Sequence, residues 1–153
     1  MISEGDTVPK FEINDANGKK VKSTDFKGKK HAIYFYPKDF TPGCTREADE
    51  FSKDYKKFQE QDIEIIGISP DDVESHKKFC DKMEIKYPLL ADVDKVVSNL
   101  FGVWGKKKFM GREYMGVMRS TFLVDEKGII FKIYPKVKPA GHSKQVINDF
   151  MSI

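Results

Sequence analysis

Tyr36-Pro-Lys-Asp-Phe-Thr-Pro-Gly-Cys-Thr-Arg-Glu47 carries an apolar strand into the first turn of a helix and sets a cysteine, Cys44, at the entry. Immediately upstream, Ala32-Ile33-Tyr34-Phe35-Tyr36 is a nearly unbroken apolar run of strand length, and Pro37 ends it because proline cannot continue a sheet ladder. Downstream, an amphipathic segment starts near Gly43, with Ala48, Phe51, Tyr55 and Phe58 three or four residues apart and Glu50, Lys53 and Lys57 on the other face. Its pattern ends between Gln59 and Asp62. Cys44 therefore falls where unpaired backbone N–H groups point outward. That end of a helix favours negative charge, and a thiolate is the nucleophilic form of cysteine.

Outward from this unit the pattern alternates. Ile63-Glu-Ile-Ile-Gly-Ile68 is rich in β-branched residues and apolar on both faces, as a buried parallel strand is. Pro70-Asp-Asp72 opens a second helix over about 72–83, with Val73, His76, Phe79, Cys80 and Met83 on or beside one face. Tyr87–Leu90 reads as a short extended piece, Lys95–Phe101 as a short helix ended by Gly102, and 103–118 as a Gly- and Lys-rich connection carrying Trp104. Thr121–Val124, the turn Asp125–Gly128 and Ile129–Tyr134 form a hairpin, and His142–Met151 closes the chain as a helix with Val146, Ile147 and Phe150 inward. On the N-terminal side, Phe11–Ile13 and Val21–Lys22 flank Asp15-Ala-Asn-Gly18 as an edge hairpin, and Ser23–Phe26 makes one helical turn with Ser23 or Thr24 as its cap. The order predicts an α/β fold, a mixed central sheet flanked by helices with an N-terminal β-hairpin.

A chain of 153 residues is expected to form a single domain, 1–153, able to bury about two thirds of its unfolded surface without a disulfide or metal staple. Its 39% hydrophobic and 33% charged residues fit a globular protein, and no stretch approaches the roughly 18 apolar residues of a membrane span. The first residues, Met-Ile-Ser-Glu-Gly-Asp, lack a basic-then-apolar signal pattern, so a reducing cytoplasm is the expected location and two cysteines there read as redox-active or plainly buried. The net charge of +3 and the mixing of acids with bases do not imply nucleic acid. Basic clusters at Lys27–His31, Lys106–Lys108 and Lys132–Lys138 read as solvated faces. His31, His76 and His142 have no ligand spacing, so neither a metal nor a cofactor is expected.

Pro37-Lys-Asp-Phe-Thr41-Pro-Gly-Cys44 resembles the Pro-x-x-x-Thr-x-x-Cys motif of peroxiredoxins, the thiol peroxidases, and the string from Phe35 to Glu47 resembles the bacterioferritin comigratory protein, or peroxiredoxin Q, branch. The similarity runs from Gly5-Asp-Thr-Val-Pro9 through Arg119-Ser-Thr-Phe122 to the last helix. The resemblance implies a thioredoxin-like fold, whose element order matches, a monomer, a hydrogen peroxide or alkyl hydroperoxide substrate, and thioredoxin or a similar dithiol as reductant. On it, Cys44 is the nucleophile, Thr41 bonds the thiolate or peroxide, Pro37 shields the thiolate from water, and Arg119 is the arginine brought to the thiolate from a distant strand. Gly43 lets the backbone approach the substrate, with its N–H and that of Cys44 as donors, and Glu47 orients Arg119 rather than acting as a base. Full ionisation of an ordinary thiol at neutral pH gains roughly thirtyfold, about 2 kcal/mol, and part of that is lost because less basic thiolates are weaker nucleophiles. Positioning the peroxide and stabilising the departing oxygen must contribute more.

One position departs from the pattern. Many peroxiredoxin Q sequences carry a resolving cysteine five positions after the first, where this chain has Asp49. A subset carries it on the following helix, where Cys80 lies; a core cysteine beside Phe79 and Met83 is the other reading of Cys80. Three functions follow for test: a peroxidase resolved by Cys80, or by an external thiol in a one-cysteine cycle; a peroxide sensor or relay that hands its oxidation to a partner; and a non-catalytic binding module on the same fold.

Overall fold

The apolar run before Pro37 forms strand β3 (Lys30–Phe35) in the computed structural model, which describes residues 2–153. It lies parallel to β4 (Ile63–Ser69) and antiparallel to β8 (Ser120–Val124), with β5 (Leu89–Ala91) outside β4 and β9 (Ile130–Tyr134) outside β8, giving a five-stranded sheet of order β5-β4-β3-β8-β9. Parallel neighbours need crossovers, and helix α1 (Pro42–Glu60) joins β3 to β4 while α2 (Val73–Met83) joins β4 to β5. Both helices and the terminal α4 (His142–Met151) cover one face, where Tyr34, Tyr36, Phe51, Phe58 and Phe79 pack. The other face holds Ile33, Phe35, Ile66, Ile68 and Phe122 against Phe11, Val97 of the short helix α3 (Val96–Leu100), and Phe101. The central strands are apolar on both faces because both are covered.

One point of β4, on the helix-covered face, needs a bare backbone. A Cβ at Gly67 would lie 2.6 Å from Leu89 Cδ2 and 2.9 Å from the Tyr34 ring, so only glycine fits that point of β4. The N-terminal hairpin pairs β1 (Glu12–Asn14) with β2 (Lys20–Lys22), and Gly18 takes a φ of +76° in its turn. The single turn Ser23–Phe26 is a 3-10 turn, and its capping differs from expectation. Lys22 is the cap residue, the Asp25 carboxylate accepts from Lys22 N (2.9 Å), and Ser23 Oγ instead accepts from Phe11 N (3.1 Å).

The larger correction is the connection read over 103–118. It is a two-stranded hairpin, β6 (Trp104–Phe109) against β7 (Arg112–Val117). Phe109 pairs with Arg112, so the turn has two residues, Met110 at φ +51° and Gly111 at φ +79°. Positive φ at both places is the twist-matched hairpin turn, usually marked by Asn-Gly; Met-Gly carries no such mark. The hairpin's exit leads through Met118 directly to Arg119. Among the described residues no helix is long and apolar enough to cross a membrane.

Candidate active site

After Pro37, which is half-buried, the chain makes a tight reversal in which Phe40 takes a φ of +66°, a conformation that a bulky residue rarely adopts. The Phe40 ring is held on Phe79 of α2, with centroids 5.1 Å apart. The reversal leaves Thr41 extended at the helix cap and Pro42 at the first helical position, where its missing N–H costs nothing. The first backbone bond of the helix is Thr45 N to Thr41 O (2.8 Å), so the N–H groups of Gly43 and Cys44 precede it and are not used by the helix ladder. Thr41 Oγ1 donates to Lys38 O (2.8 Å), which fixes the loop and leaves the oxygen's lone pairs as acceptors.

Cys44 is buried, and Arg119 reaches it from the link between β7 and β8. One guanidinium nitrogen, Nη2, donates to Cys44 Sγ at 3.3 Å, and the other, Nη1, donates to Glu47 Oε1 at 2.7 Å. Glu47 lies one turn beyond Cys44 on the same buried face and is 1% exposed. Burial pushes its carboxyl up to about 7 even though the charge and hydrogen bond of Arg119 pull the other way. Its second oxygen, Oε2, is buried without a partner. For Arg119 burial disfavours the charge, but Glu47 and Cys44 outweigh it and hold the guanidinium above its ordinary pKa. Gly43 is needed for space rather than for conformation: a Cβ there would lie 3.1 Å from Arg119 Nη2 and 3.5 Å from Pro139 Cγ. The structure thus brings Thr41, Gly43, Cys44, Glu47 and Arg119 to one place, with Pro37 at the base of the loop.

With this geometry, the relatives can be named. The AhpC/TSA family profile matches residues 4–133. The chain belongs to the AhpC/TSA family, in its peroxiredoxin Q (Bcp) branch. Peroxiredoxin Bcp of Bacillus subtilis is 44% identical over 146 residues, 95% of this chain and 93% of that protein. Among solved structures, peroxiredoxin Q of Xylella fastidiosa, crystallised as a cysteine-to-serine mutant, superposes with a TM-score of 0.94 at 29% identity, covering 99% of this chain and 97% of that one. Peroxiredoxin Q of Xanthomonas campestris superposes with a TM-score of 0.88 at 34% identity over 93% of this chain and 90% of that one. Two of its structures carry serine in place of one or the other of two cysteines, and those two are as far apart in sequence as Cys44 and Cys80 here. This peroxiredoxin is a thioredoxin-fold enzyme that acts as a peroxidase, with a peroxide as substrate and a thiol as reductant.

Cys80 lies on α2, half-buried and unbridged, packed against the core cluster that contains Cys44. It also lines a surface cavity of about 390 Å³ with Asp15, Asn17, Lys77 and Tyr87. Burial, with Asp39 and Asp81 nearby, pushes its thiol up to about 11, so in this conformation it is a thiol and not a thiolate. Asp49, five positions after Cys44, pairs with Lys53 on the next turn (2.9 Å).

Two features of this peroxiredoxin had no local signal. Asp39, in the active-site loop, is 3% exposed and accepts from Tyr36 Oη (2.6 Å), Ser75 Oγ (2.8 Å) and His76 Nδ1 (2.7 Å). His76 Nε2 bonds the Leu90 carbonyl (2.9 Å), and the Asp39 N–H donates to Asp71 Oδ2 (2.8 Å), which also accepts from Ser69 Oγ (2.6 Å). Asp39, Asp71 and His76 have ligand atoms within 4.8 Å of one another, the one such trio among the described residues, and each is engaged in these hydrogen bonds. The network ties the loop before Cys44 to the first turn of α2. The second feature is Lys107, the middle member of a cluster whose sequence reads as a solvated face. It is half-buried, whereas Lys106 and Lys108 beside it are exposed.

Proposed function

We propose that the chain is a single-domain, monomeric peroxidase that reduces hydrogen peroxide and organic hydroperoxides through a sulfenic acid at Cys44. The Cys44 thiolate attacks the terminal peroxide oxygen and the O–O bond breaks. The sulfur is oxidised to sulfenic acid, and the departing oxygen leaves as water or an alcohol after taking a proton. Arg119 would hold the thiolate and follow the charge onto the departing oxygen, and the N–H groups of Gly43 and Cys44 would point at the same place. Thr41 Oγ1 would accept a hydrogen bond from the peroxide O–H, its own hydrogen being committed to Lys38 O. The observation that carries this reading is the guanidinium shared between Cys44 Sγ and Glu47 Oε1. A forked, permanently charged donor held on both sides has little freedom left to lose when charge develops.

Cys80 would then condense with the sulfenic acid, losing water and forming a disulfide that thioredoxin reduces. The two cysteines singled out for substitution in the Xanthomonas campestris protein, as far apart in sequence as Cys44 and Cys80, support this assignment. A thiol held at about 11 on an intact helix is a poor nucleophile, so α2 would open first. Its first turn is anchored to Asp39; its last turn, from Cys80 to Met83, is closed by the backbone N–H groups of Glu84 and Ile85 on Cys80 O and ends at Glu84 in a left-handed conformation (φ +55°) without glycine, and is the part that would unwind.

Peroxide consumption coupled to thioredoxin and its reductase tests the cycle. Cys44→Ser should abolish it, and Cys80→Ser should stop it after one oxidation while leaving that first oxidation intact. Undiminished thioredoxin-driven turnover in Cys80→Ser would show instead that an external thiol resolves the sulfenic acid.

A further inference from the structure

Lys107 sits on β6 opposite Tyr114, and its side chain runs along the hairpin toward the end of β7. A Cβ at Gly116 would lie 3.0 Å from Lys107 Cδ and 3.8 Å from its Cγ, so the stem of the lysine lies across that glycine. Gly116 is not among the residues with positive φ, so the backbone does not require glycine there; it is the lysine stem that crowds the place a side chain would take. The ammonium ends on the Val117 carbonyl (3.0 Å), two residues before Arg119. A lysine drawn off the surface in this way loses hydration and side-chain freedom, while Lys106 on the same strand keeps both and makes only a loose contact with Glu113 (3.9 Å).

We propose that Lys107 is a positioning residue for the peroxidase reaction, a second fixed cation that shares with Arg119 the negative charge of the Cys44 thiolate. The charged groups that act on it are Arg119 from the link after β7 and Cys44 from α1. Burial lowers the pKa of Lys107, Arg119 lowers it further and Cys44 raises it, as expected of an ammonium that faces both. Arg119 makes the direct contact with sulfur. Lys107 acts through space, and its hydrogen bond to the Val117 carbonyl fixes where its charge sits.

The inference rests on Cys44 being the working thiolate, and it is tested without peroxide so that the two fail separately. In a Cys80→Ser background, the pH titration of thiolate ultraviolet absorbance is compared among the parent, Lys107→Gln, Lys107→Arg, Gly116→Ala and Lys106→Gln. Removing one partly screened charge near the thiolate should move its midpoint up by about 0.5–1 pH unit in Lys107→Gln. Gly116→Ala, which keeps the lysine but displaces its stem, should move it the same way, Lys107→Arg should restore most of the shift, and Lys106→Gln should leave it in place. Equal shifts for Lys106→Gln and Lys107→Gln, or no shift in either Lys107→Gln or Gly116→Ala, would overturn the proposal. Near-ultraviolet circular dichroism matching the parent in each variant excludes a misfolded hairpin as the source of a shift.

Discussion

Arg119→Gln removes the guanidinium that joins Cys44 to Glu47, and the structure fixes two separate consequences. For the reaction, a preorganised charged donor 3.3 Å from the attacking sulfur is lost. Donors of this kind are worth about 2.7–4 kcal/mol, so the second-order rate of Cys44 oxidation should fall about 10²–10³-fold. For the fold, Glu47 keeps its buried place without its partner at 2.7 Å. Removing one member of a buried pair commonly costs about 3–5 kcal/mol, but Glu47 already titrates near 7 and will escape part of that by taking a proton. The stability loss should therefore be smaller at about pH 6 than at about pH 8. Arg119→Lys keeps the charge but cannot fork to both partners, so it should recover only part of the rate. Stopped-flow fluorescence of Trp104, the single tryptophan, on the hairpin that leads to Arg119, follows oxidation directly, and urea unfolding gives the stabilities. A rate loss below tenfold in Arg119→Gln, with the fold intact, would refute the role given to the guanidinium.

Three further outcomes follow from the geometry. Gly43→Ala places a methyl 3.1 Å from Arg119 Nη2, and should lower the oxidation rate about tenfold or more with little change in urea unfolding; an unchanged rate would mean the guanidinium has room to retreat. Glu47 has a folded pKa of about 7 against an ordinary 4.5, so the folded state binds the extra proton between those values. Its contribution is complete below about 4.5 and is lost as pH rises through about 7, by roughly 3 kcal/mol in all. The stability of the wild type relative to Glu47→Gln should fall by about 2.5 kcal/mol from pH 5 to pH 8, with the opposite trends of His31 and His142, both lowered by burial, cancelling in the comparison; a difference independent of pH would contradict it. Asp39→Asn takes a charged acceptor from His76, Ser75 and Tyr36 and should cost about 3 kcal/mol or more in urea unfolding, whereas a loss under about 1 kcal/mol would mean the network is loosely held.

What the sequence made legible follows the range of the interactions. The strand before Pro37, the helix after Thr41 and the terminal helix His142–Met151 rest on local period and composition, and each lies in the structure where its pattern puts it. The cysteine at the helix entry is likewise local. Arg119 meets Cys44 across 75 positions, and no spacing rule connects them; only the resemblance singled the arginine out. The β6–β7 hairpin was hidden for a different reason. Its turn uses Met110 at left-handed φ, and its strands carry adjacent lysines whose opposite fates, Lys106 in water and Lys107 drawn inward, depend on the glycine across the ladder. The Asp39–His76 pair joins a loop to a helix 37 positions on, and in the sequence each looked like an ordinary polar residue of its own element.

The central claim is that Cys44 takes oxygen from peroxide and Cys80 takes over the oxidised sulfur. Intact mass after one equivalent of hydrogen peroxide, for wild type and Cys80→Ser, with and without a sulfenate trap, tests both halves at once. The account predicts a loss of about two mass units in the wild type, the two thiol hydrogens, and a trapped sulfenate at Cys44 in Cys80→Ser. A stable sulfenate at Cys44 in both proteins would contradict the role of Cys80, and no adduct at Cys44 in either would contradict the peroxidase mechanism.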